Sequence, residues 1–168
     1  MRAKTSVYIA TSLDGYIART GGDLDWLTPE PLPGDEDYGY RAFIETIDAL
    51  VMGRNTFEKV LTLGDWPYGE LKVVVLTSRP LTLPGDLAAT VSTLNLEPVG
   101  VIRHLSDQGA RHLYIDGGLT IQRFLRAGLI DQLIITRIPV LLGSGIPLFG
   151  PLAADIKLSH VSTRSFPN

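Results

Sequence analysis

The feature that most constrains the fold is a short, mostly apolar run of residues that recurs between helical patterns. Residues 72–76 read KVVVL, and a run of this kind is typical of a strand covered on both faces of a sheet. Similar short runs occupy residues 7–10, 49–52 and 112–115. Helical patterns follow the last two of these runs. Strands that alternate with helices predict an α/β domain with a mainly parallel central sheet.

Apolar spacing and turn residues place the other elements. Helices are predicted at 40–47, 55–61, 97–107 and 120–126, a weaker strand at 89–92, a long strand at 133–142 and a closing strand at 156–166. Residues 19–38 form a long loop with one helical turn near 24–27, and loops of this length in compact domains are commonly functional. The length of 168 residues predicts one domain over residues 1–168.

Composition narrows the classes of function. The net charge is −3 and the cations are scattered, whereas binding to nucleic acid calls for a clustered cationic surface. The chain has no cysteine and its three histidines lie far apart, so we expect neither a disulfide nor a metal site. The longest weakly charged stretch, residues 138–155, is interrupted by glycines and prolines that do not suit a membrane helix. We therefore expect a cytoplasmic protein that binds a small molecule.

Three predicted strand ends carry groups that suit a phosphate. They are residues 51–56 (VMGRNT), 76–79 (LTSR) and 116–120 (DGGLT). If the strands are parallel, all three ends lie at the edge of the sheet where ligands bind in open α/β folds. Glycines, hydroxyls, helix starts and the cations Arg54 and Arg79 favour an anion there. The sequence predicts a ligand with several phosphates, although it contains neither G-x-G-x-x-G nor a Walker motif.

Each of these segments also has a plain structural interpretation. Asn55 and Glu58 have the spacing of a capping box, so the role of Asn55 is equally explained as the start of a helix. Residues 77–80 also read as a solvated turn, and residues 116–118 as a strand-to-helix turn. Both interpretations stay open at this point.

Five segments, taken in order, resemble the dihydrofolate reductase-like superfamily: VYIATSLDGYIA, LVMGRNTFE, VVVLTSR, YIDGGLTIQRFL and LIITRIPVLLGSGIPLF. They are most similar to the branch that contains the reductase domain of riboflavin biosynthesis and its stand-alone bacterial relatives. The resemblance implies a three-layer sandwich with a mixed, mostly parallel central sheet flanked by helices. It also implies hydride transfer from NADPH to a small heterocycle of the dihydrofolate (pterin) or ribosylaminopyrimidine type. Relatives often pair, so a homodimer is a further expectation.

The resemblance also assigns roles to individual residues. It places the cofactor phosphates at Gly53, Arg54, Asn55 and Thr56, the adenosine 2′-phosphate at Thr77, Ser78 and Arg79, and the pyrophosphate at Gly117, Gly118, Leu119 and Thr120. Ala10 and Ile17 would line the nicotinamide pocket, and Trp26 would lie on the loop that closes over the substrate. Thr136 corresponds to a hydroxyl that supports the acidic group in dihydrofolate reductases.

The identity of the proton-donating acid stays open between two carboxylates. A count without gaps puts Asp37 at the position of the acid in dihydrofolate reductases, but Asp37 lies in a Gly- and Pro-rich loop. Asp14, in the SLDG turn, is the alternative, and it also reads as an ordinary turn residue. Dihydrofolate reductases carry glycine where this chain has Asp116, which favours the riboflavin-type branch.

Two other classes of function remain open. A binding module would hold NADPH or a pterin without turning it over, and a structural domain would bind no dinucleotide. The fold cannot decide between them, because function resides in the site. The identity of the hydride acceptor is likewise not specified by the sequence.

Overall fold

The computed structural model describes residues 1–27 and 36–166. The strands are β1 (Lys4–Ser12), β2 (Tyr16–Ala18), β3 (Ala49–Gly53), β4 (Lys72–Leu76), β5 (Val91–Leu94), β6 (His112–Asp116), β7 (Gln132–Ile138) and β8 (Ile146–Pro147). The α-helices are α1 (Tyr40–Ile44), α2 (Arg54–Val60), α3 (Pro98–Asp107) and α4 (Gly118–Arg126), and a 3-10 turn spans Asp25–Leu27. In the part of the chain that is described, no helix is long and apolar enough to cross a membrane.

Six strands form one sheet in the order β5-β4-β3-β6-β1-β7, and every neighbouring pair in it is parallel. Helices α3 and α4 pack on one face with Val101 and Phe124, while α1 and α2 pack on the other with Phe43 and Phe57. The predicted three-layer α/β sandwich is therefore confirmed. Within the described residues the antiparallel pairing is confined to the small ribbon of β2 and β8.

The C-terminal part differs from the prediction. Strand β7 lies at a sheet edge and ends at Ile138, because Pro139 has no N–H to continue a ladder. The closing strand predicted at 156–166 is wrong, since those residues form no strand. Leu158 and Val161 are 69% and 85% exposed, so the alternating apolar pattern there is not used for burial within the chain.

Candidate functional site

The turns after β3 and β6, together with strand β2, pack closely at the carboxyl edge of the sheet around glycines. Gly117 has a φ of 86°, and a Cβ built there would collide with the Thr56 side chain at the start of α2. A Cβ at Gly53 would lie 2.9 Å from the hydroxyl of Thr120, and one at Gly118 would lie 2.9 Å from Cδ1 of Ile17. The predicted site residues of β2, α2 and α4 are thus brought together. The glycines make room for side chains of neighbouring turns.

A cleft of about 360 Å³ lies at the same edge, beyond the ends of β4 and β5. The predicted residues that line it are Arg54, Asn55, Thr77, Ser78 and Arg79. Asn55 is the second residue of α2 and the N-cap is Gly53, so the capping-box interpretation, which needs Asn55 at the N-cap, is wrong. The Thr77 hydroxyl bonds to the backbone of Arg79 at 3.0 and 3.2 Å, which stabilises the turn on one wall of the cleft.

The arginines of this cleft differ in the number of hydrogen bonds that they already make within the chain. Nε of Arg54 donates to Glu58 at 2.7 Å and Nη1 donates to the carbonyl of Pro80 at 3.0 Å. The guanidinium of Arg79, by contrast, makes no hydrogen bond or ion pair with any residue in the described ranges. Its fixed charge and planar donor set are available to a bidentate anion such as a phosphate.

The far wall of the cleft was missed by sequence reasoning. It is formed by residues 94–97 together with Arg123 of α4, whose Nη2 lies 3.1 Å from both carboxylate oxygens of Glu97. Strand β5 pairs in parallel with β4, so its end reaches the same edge of the sheet. Its apolar pattern in the sequence is weak, and for this reason its end was not considered as part of the site. Arg123 brings a third arginine to the cleft.

The other residues predicted to contact cofactor or substrate lie on α4, on strands β1 and β7, and in the 3-10 turn. Leu119 is 67% exposed at the start of α4, where no side chain caps the helix, so backbone N–H groups of the first turn can face an anion. Ala10 pairs with Thr136 across β1 and β7, and the Thr136 hydroxyl lies near the phenol of Tyr8, whose pKa it acts to lower. Trp26 is partly buried in the 3-10 turn, and its Nε1 has no partner among the described residues.

Both acids predicted as proton donors, Asp14 and Asp37, already accept hydrogen bonds within the chain. The carboxylate of Asp14 accepts from the Ser12 hydroxyl at 2.6 Å and from the Leu142 and Gly143 N–H groups at 3.2 and 2.8 Å. These contacts hold the pKa of Asp14 below its usual range. Asp37 accepts from the N–H groups of Arg41 and Gly39 at 2.9 and 2.8 Å, which lowers its pKa as well. The contacts favour a role for these two carboxylates in holding turns.

A third carboxyl group, that of Asp116 at the end of β6, has a pKa that is raised instead of lowered. It is partly buried, and removal from water raises the pKa of its carboxyl to about 6. Among the described residues, the Gly117 N–H counteracts this rise and no cation contributes to it. An acid whose pKa is raised by burial, at the edge of a sheet where ligands bind, is a candidate functional residue. In the sequence, Asp116 stood out only as a difference from dihydrofolate reductases. Its burial could not be predicted, because burial depends on residues from distant elements.

The parallel sheet and the cleft at its edge, lined by three arginines, define an α/β protein with a cationic cleft beyond the strand ends. The chain belongs to the family described as RibD C-terminal domain, whose model matches residues 3–168. It is 37% identical over 168 residues to the uncharacterized protein YwjB of Bacillus subtilis, covering 99% of this chain and 94% of that protein. The structure of a putative riboflavin biosynthesis protein from Shewanella sp. PV-4 matches with a TM-score of 0.86 and 46% identity, over 92% of this chain and 87% of that one.

A more distant structure bears on the fold. Dihydrofolate reductase from Enterococcus faecalis, solved in complex with NADP(H), matches with a TM-score of 0.58 and 22% identity, covering 91% of this chain and 82% of that chain. At this identity the match shows a shared dihydrofolate reductase-like fold. The predicted membership of the riboflavin-type branch is confirmed by the family match.

Proposed function

We propose that this protein is an NADPH-dependent reductase that transfers hydride to a small organic acceptor. The observation that carries the proposal is the placement of an arginine-lined cleft and a partly buried carboxylic acid at one edge of one sheet. Membership of a riboflavin-type reductase family and the NADP(H) bound by a protein of the same fold support it.

The residues present fit the phosphates of NADPH. Arg79 carries a guanidinium without a partner in the described part of the chain, and the hydroxyls of Thr77 and Ser78 lie beside it in the cleft. We assign these three residues to the 2′-phosphate, which distinguishes NADPH from NADH. Arg54 and Arg123 would supply further positive charge, and the uncapped start of α4 would face the pyrophosphate.

When bound, NADPH supplies the hydride, and the protein has to position the acceptor and provide a proton. Asp116 is the group best suited to give that proton, because its raised pKa keeps a large share of the carboxyl protonated near pH 6. Asp14 and Asp37 are ionised at that pH and their oxygens already accept hydrogen bonds. We therefore assign proton donation to Asp116 instead of the two acids favoured by sequence.

A thermal-shift titration with NADPH, NADH and NADP⁺ tests the assignment. A ligand that binds only the folded state stabilises it by about 2.7 kcal/mol at a hundredfold excess over Kd. We expect a clear shift with NADPH and NADP⁺ and a much smaller one with NADH. No shift with any of the three would refute the cofactor assignment.

We also propose that the protein forms a homodimer through its C-terminal segment, residues 151–166. Leu152, Leu158 and Val161 are exposed there, and within the described residues the outer edge of β7 has no neighbouring strand. Apolar side chains and a free sheet edge of this kind are commonly covered by association.

A further inference from the structure

Three arginines line the cleft beyond β4 and β5, and one carboxylate lies in it with them. Glu97 is the one acid among the described residues that line this cleft, and it comes shortly after the end of β5. A negative charge at this place weakens the binding of a phosphate, because like charges repel. Its contact with an arginine shows what Glu97 does there.

Glu97 holds Arg123 through a contact that a ligand can replace. Nη2 of Arg123 lies 3.1 Å from both carboxylate oxygens of Glu97, so a single nitrogen serves both oxygens. The stronger bidentate geometry uses two nitrogens, one for each oxygen. The side chain of Glu97 is also 84% exposed, and water and salt weaken ion pairs in such a setting. A phosphate is therefore able to displace Glu97 from Arg123.

The backbone of Glu97 is fixed, whereas its side chain is held by Arg123 alone. Pro98 restricts the backbone at the first residue of α3, and the Glu97 carbonyl accepts the N–H of Val101 at 3.0 Å. The Glu97 side chain makes no capping hydrogen bond, and in the described part of the chain it bonds only to Arg123. A rotation of this side chain thus releases Arg123 without disturbing the helix.

Arg54, on the opposite face of the sheet, is held differently. Its Nε donates to Glu58 at 2.7 Å and its Nη1 donates to the carbonyl of Pro80 at 3.0 Å, and its side chain is only 24% exposed. Glu58 is not among the described residues that line the cleft. A ligand has no need to displace the partners of Arg54, whereas the partner of Arg123 lies in the cleft itself.

We propose that Glu97 limits the affinity of this cleft by competing with the ligand for Arg123. It occupies the arginine in the free protein and releases it when a phosphate of the ligand binds there. This inference rests on the proposed use of NADPH and adds a residue that sets how tightly the cofactor is held. Because affinity differences at one site appear mainly in the dissociation rate, Glu97 also makes the release of NADP⁺ faster.

Binding of adenosine 2′,5′-bisphosphate tests this role without a hydride acceptor. Glu97→Gln keeps the size of the side chain and removes its charge. We expect the Kd of the bisphosphate, measured by isothermal titration calorimetry, to fall about three- to fivefold, which is the factor that the loss of an exposed ion pair gives. The dissociation rate of NADP⁺ in stopped-flow experiments should fall by a similar factor. An unchanged or a higher Kd would overturn the proposal.

Two controls separate competition for Arg123 from a general change of charge. Glu70→Gln removes an exposed charge just before β4, at the amino edge of the sheet, and should leave the Kd within about twofold of the wild-type value. In an Arg123→Gln background, Glu97→Gln should change the Kd by less than about twofold, because no arginine is left to compete for. An equal gain with and without Arg123 would overturn the competition, since Glu97 would then act by repulsion alone.

Failure of the proposed function gives a different result from failure of this inference. If the cleft does not hold the cofactor, the wild-type protein will bind neither NADPH nor the bisphosphate, and the role of Glu97 falls with the cofactor assignment. If both bind and Glu97→Gln leaves each Kd unchanged, the cofactor assignment stands and the role of Glu97 alone is refuted.

Discussion

The side chain of Thr56 occupies the space that a Cβ at Gly117 would need. This contact joins the turn after β3 to the turn after β6, and Gly117 also has a φ of 86° that other residues rarely adopt. The two effects act together at one position, so the glycine is required both by its backbone and by its neighbour.

The first prediction concerns this contact. Gly117→Ala should lower the free energy of unfolding by about 2–4 kcal/mol, because backbone strain adds to overpacking. Gly128→Ala is the matched control, since Gly128 has a φ of 65° and nothing within 4 Å of its Cβ position. Urea unfolding should show a smaller loss for the control. Adding Thr56→Ala to Gly117→Ala should recover part of the loss, and an equal loss at both glycines would contradict the steric account.

Arg79 should determine the preference for NADPH over NADH. Arg79→Gln removes a charged donor from the cleft, and we expect the Kd for NADPH to rise about 10- to 100-fold with little change for NADH. Arg103→Gln, on the exposed side of α3, removes the same charge away from the cleft. Fluorescence titration of both variants checks the prediction, and equal effects on the two cofactors would argue against a 2′-phosphate site at Arg79.

The raised pKa of Asp116 predicts a cost in stability. Its pKa in the folded protein, about 6, lies above the ordinary value of 3.8, so stability is lost as the pH rises from about 4 to about 6. Asp116→Asn should therefore increase the free energy of unfolding at pH 8 by up to about 3 kcal/mol, less where water reaches the carboxyl, and change it little at pH 4. Denaturant unfolding at both pH values measures this.

Asp14 should behave in the opposite way. Its pKa is lowered in the folded protein, so its contribution to stability is present above the ordinary value and is lost as the pH falls through the folded value. Asp14→Asn should destabilise the protein at pH 8. A stabilising effect there would show that the hydrogen bonds to Ser12 and Gly143 do not favour the ionised form.

Single-turnover experiments with a reducible substrate should distinguish the roles of the carboxylates of Asp116, Asp14 and Asp37 in hydride transfer. We expect Asp116→Asn to slow hydride transfer about 100-fold or more, because it removes a general acid. Asp14→Asn and Asp37→Asn should stay within a few-fold of the wild-type protein. A large loss in either of these, with Asp116→Asn unaffected, would return the proton-donating role to the acids favoured by sequence.

Association through the C-terminal segment has a direct test. Val161→Asp places a charge on a side chain that is 85% exposed, so it should leave the fold of one chain intact while converting a dimer into a monomer. Light scattering after size-exclusion chromatography gives the mass. A wild-type protein that elutes as a monomer at high concentration would exclude the homodimer.

Sequence reasoning succeeded where local pattern and burial agree. The run at 72–76 is β4 with the same bounds, and helices α2, α3 and α4 begin within two residues of their predicted starts. Arg54 and Arg79 meet at one cleft because parallel strands end at one edge. The errors arose where a property depends on distant residues: the burial of Asp116, the arrival of Arg123 at the cleft, and the unpaired segment at 156–166.

The strand order has a consequence for synthesis of the chain. Strand β1 leaves the ribosome before its sheet neighbours β6 and β7, with which Lys4 pairs at His112 and Ser6 at Gln132. It must therefore remain unpaired until those later strands have been made. During this interval an apolar segment is exposed, and chaperones that shield such segments should matter more for the yield of this protein than for its stability once folded.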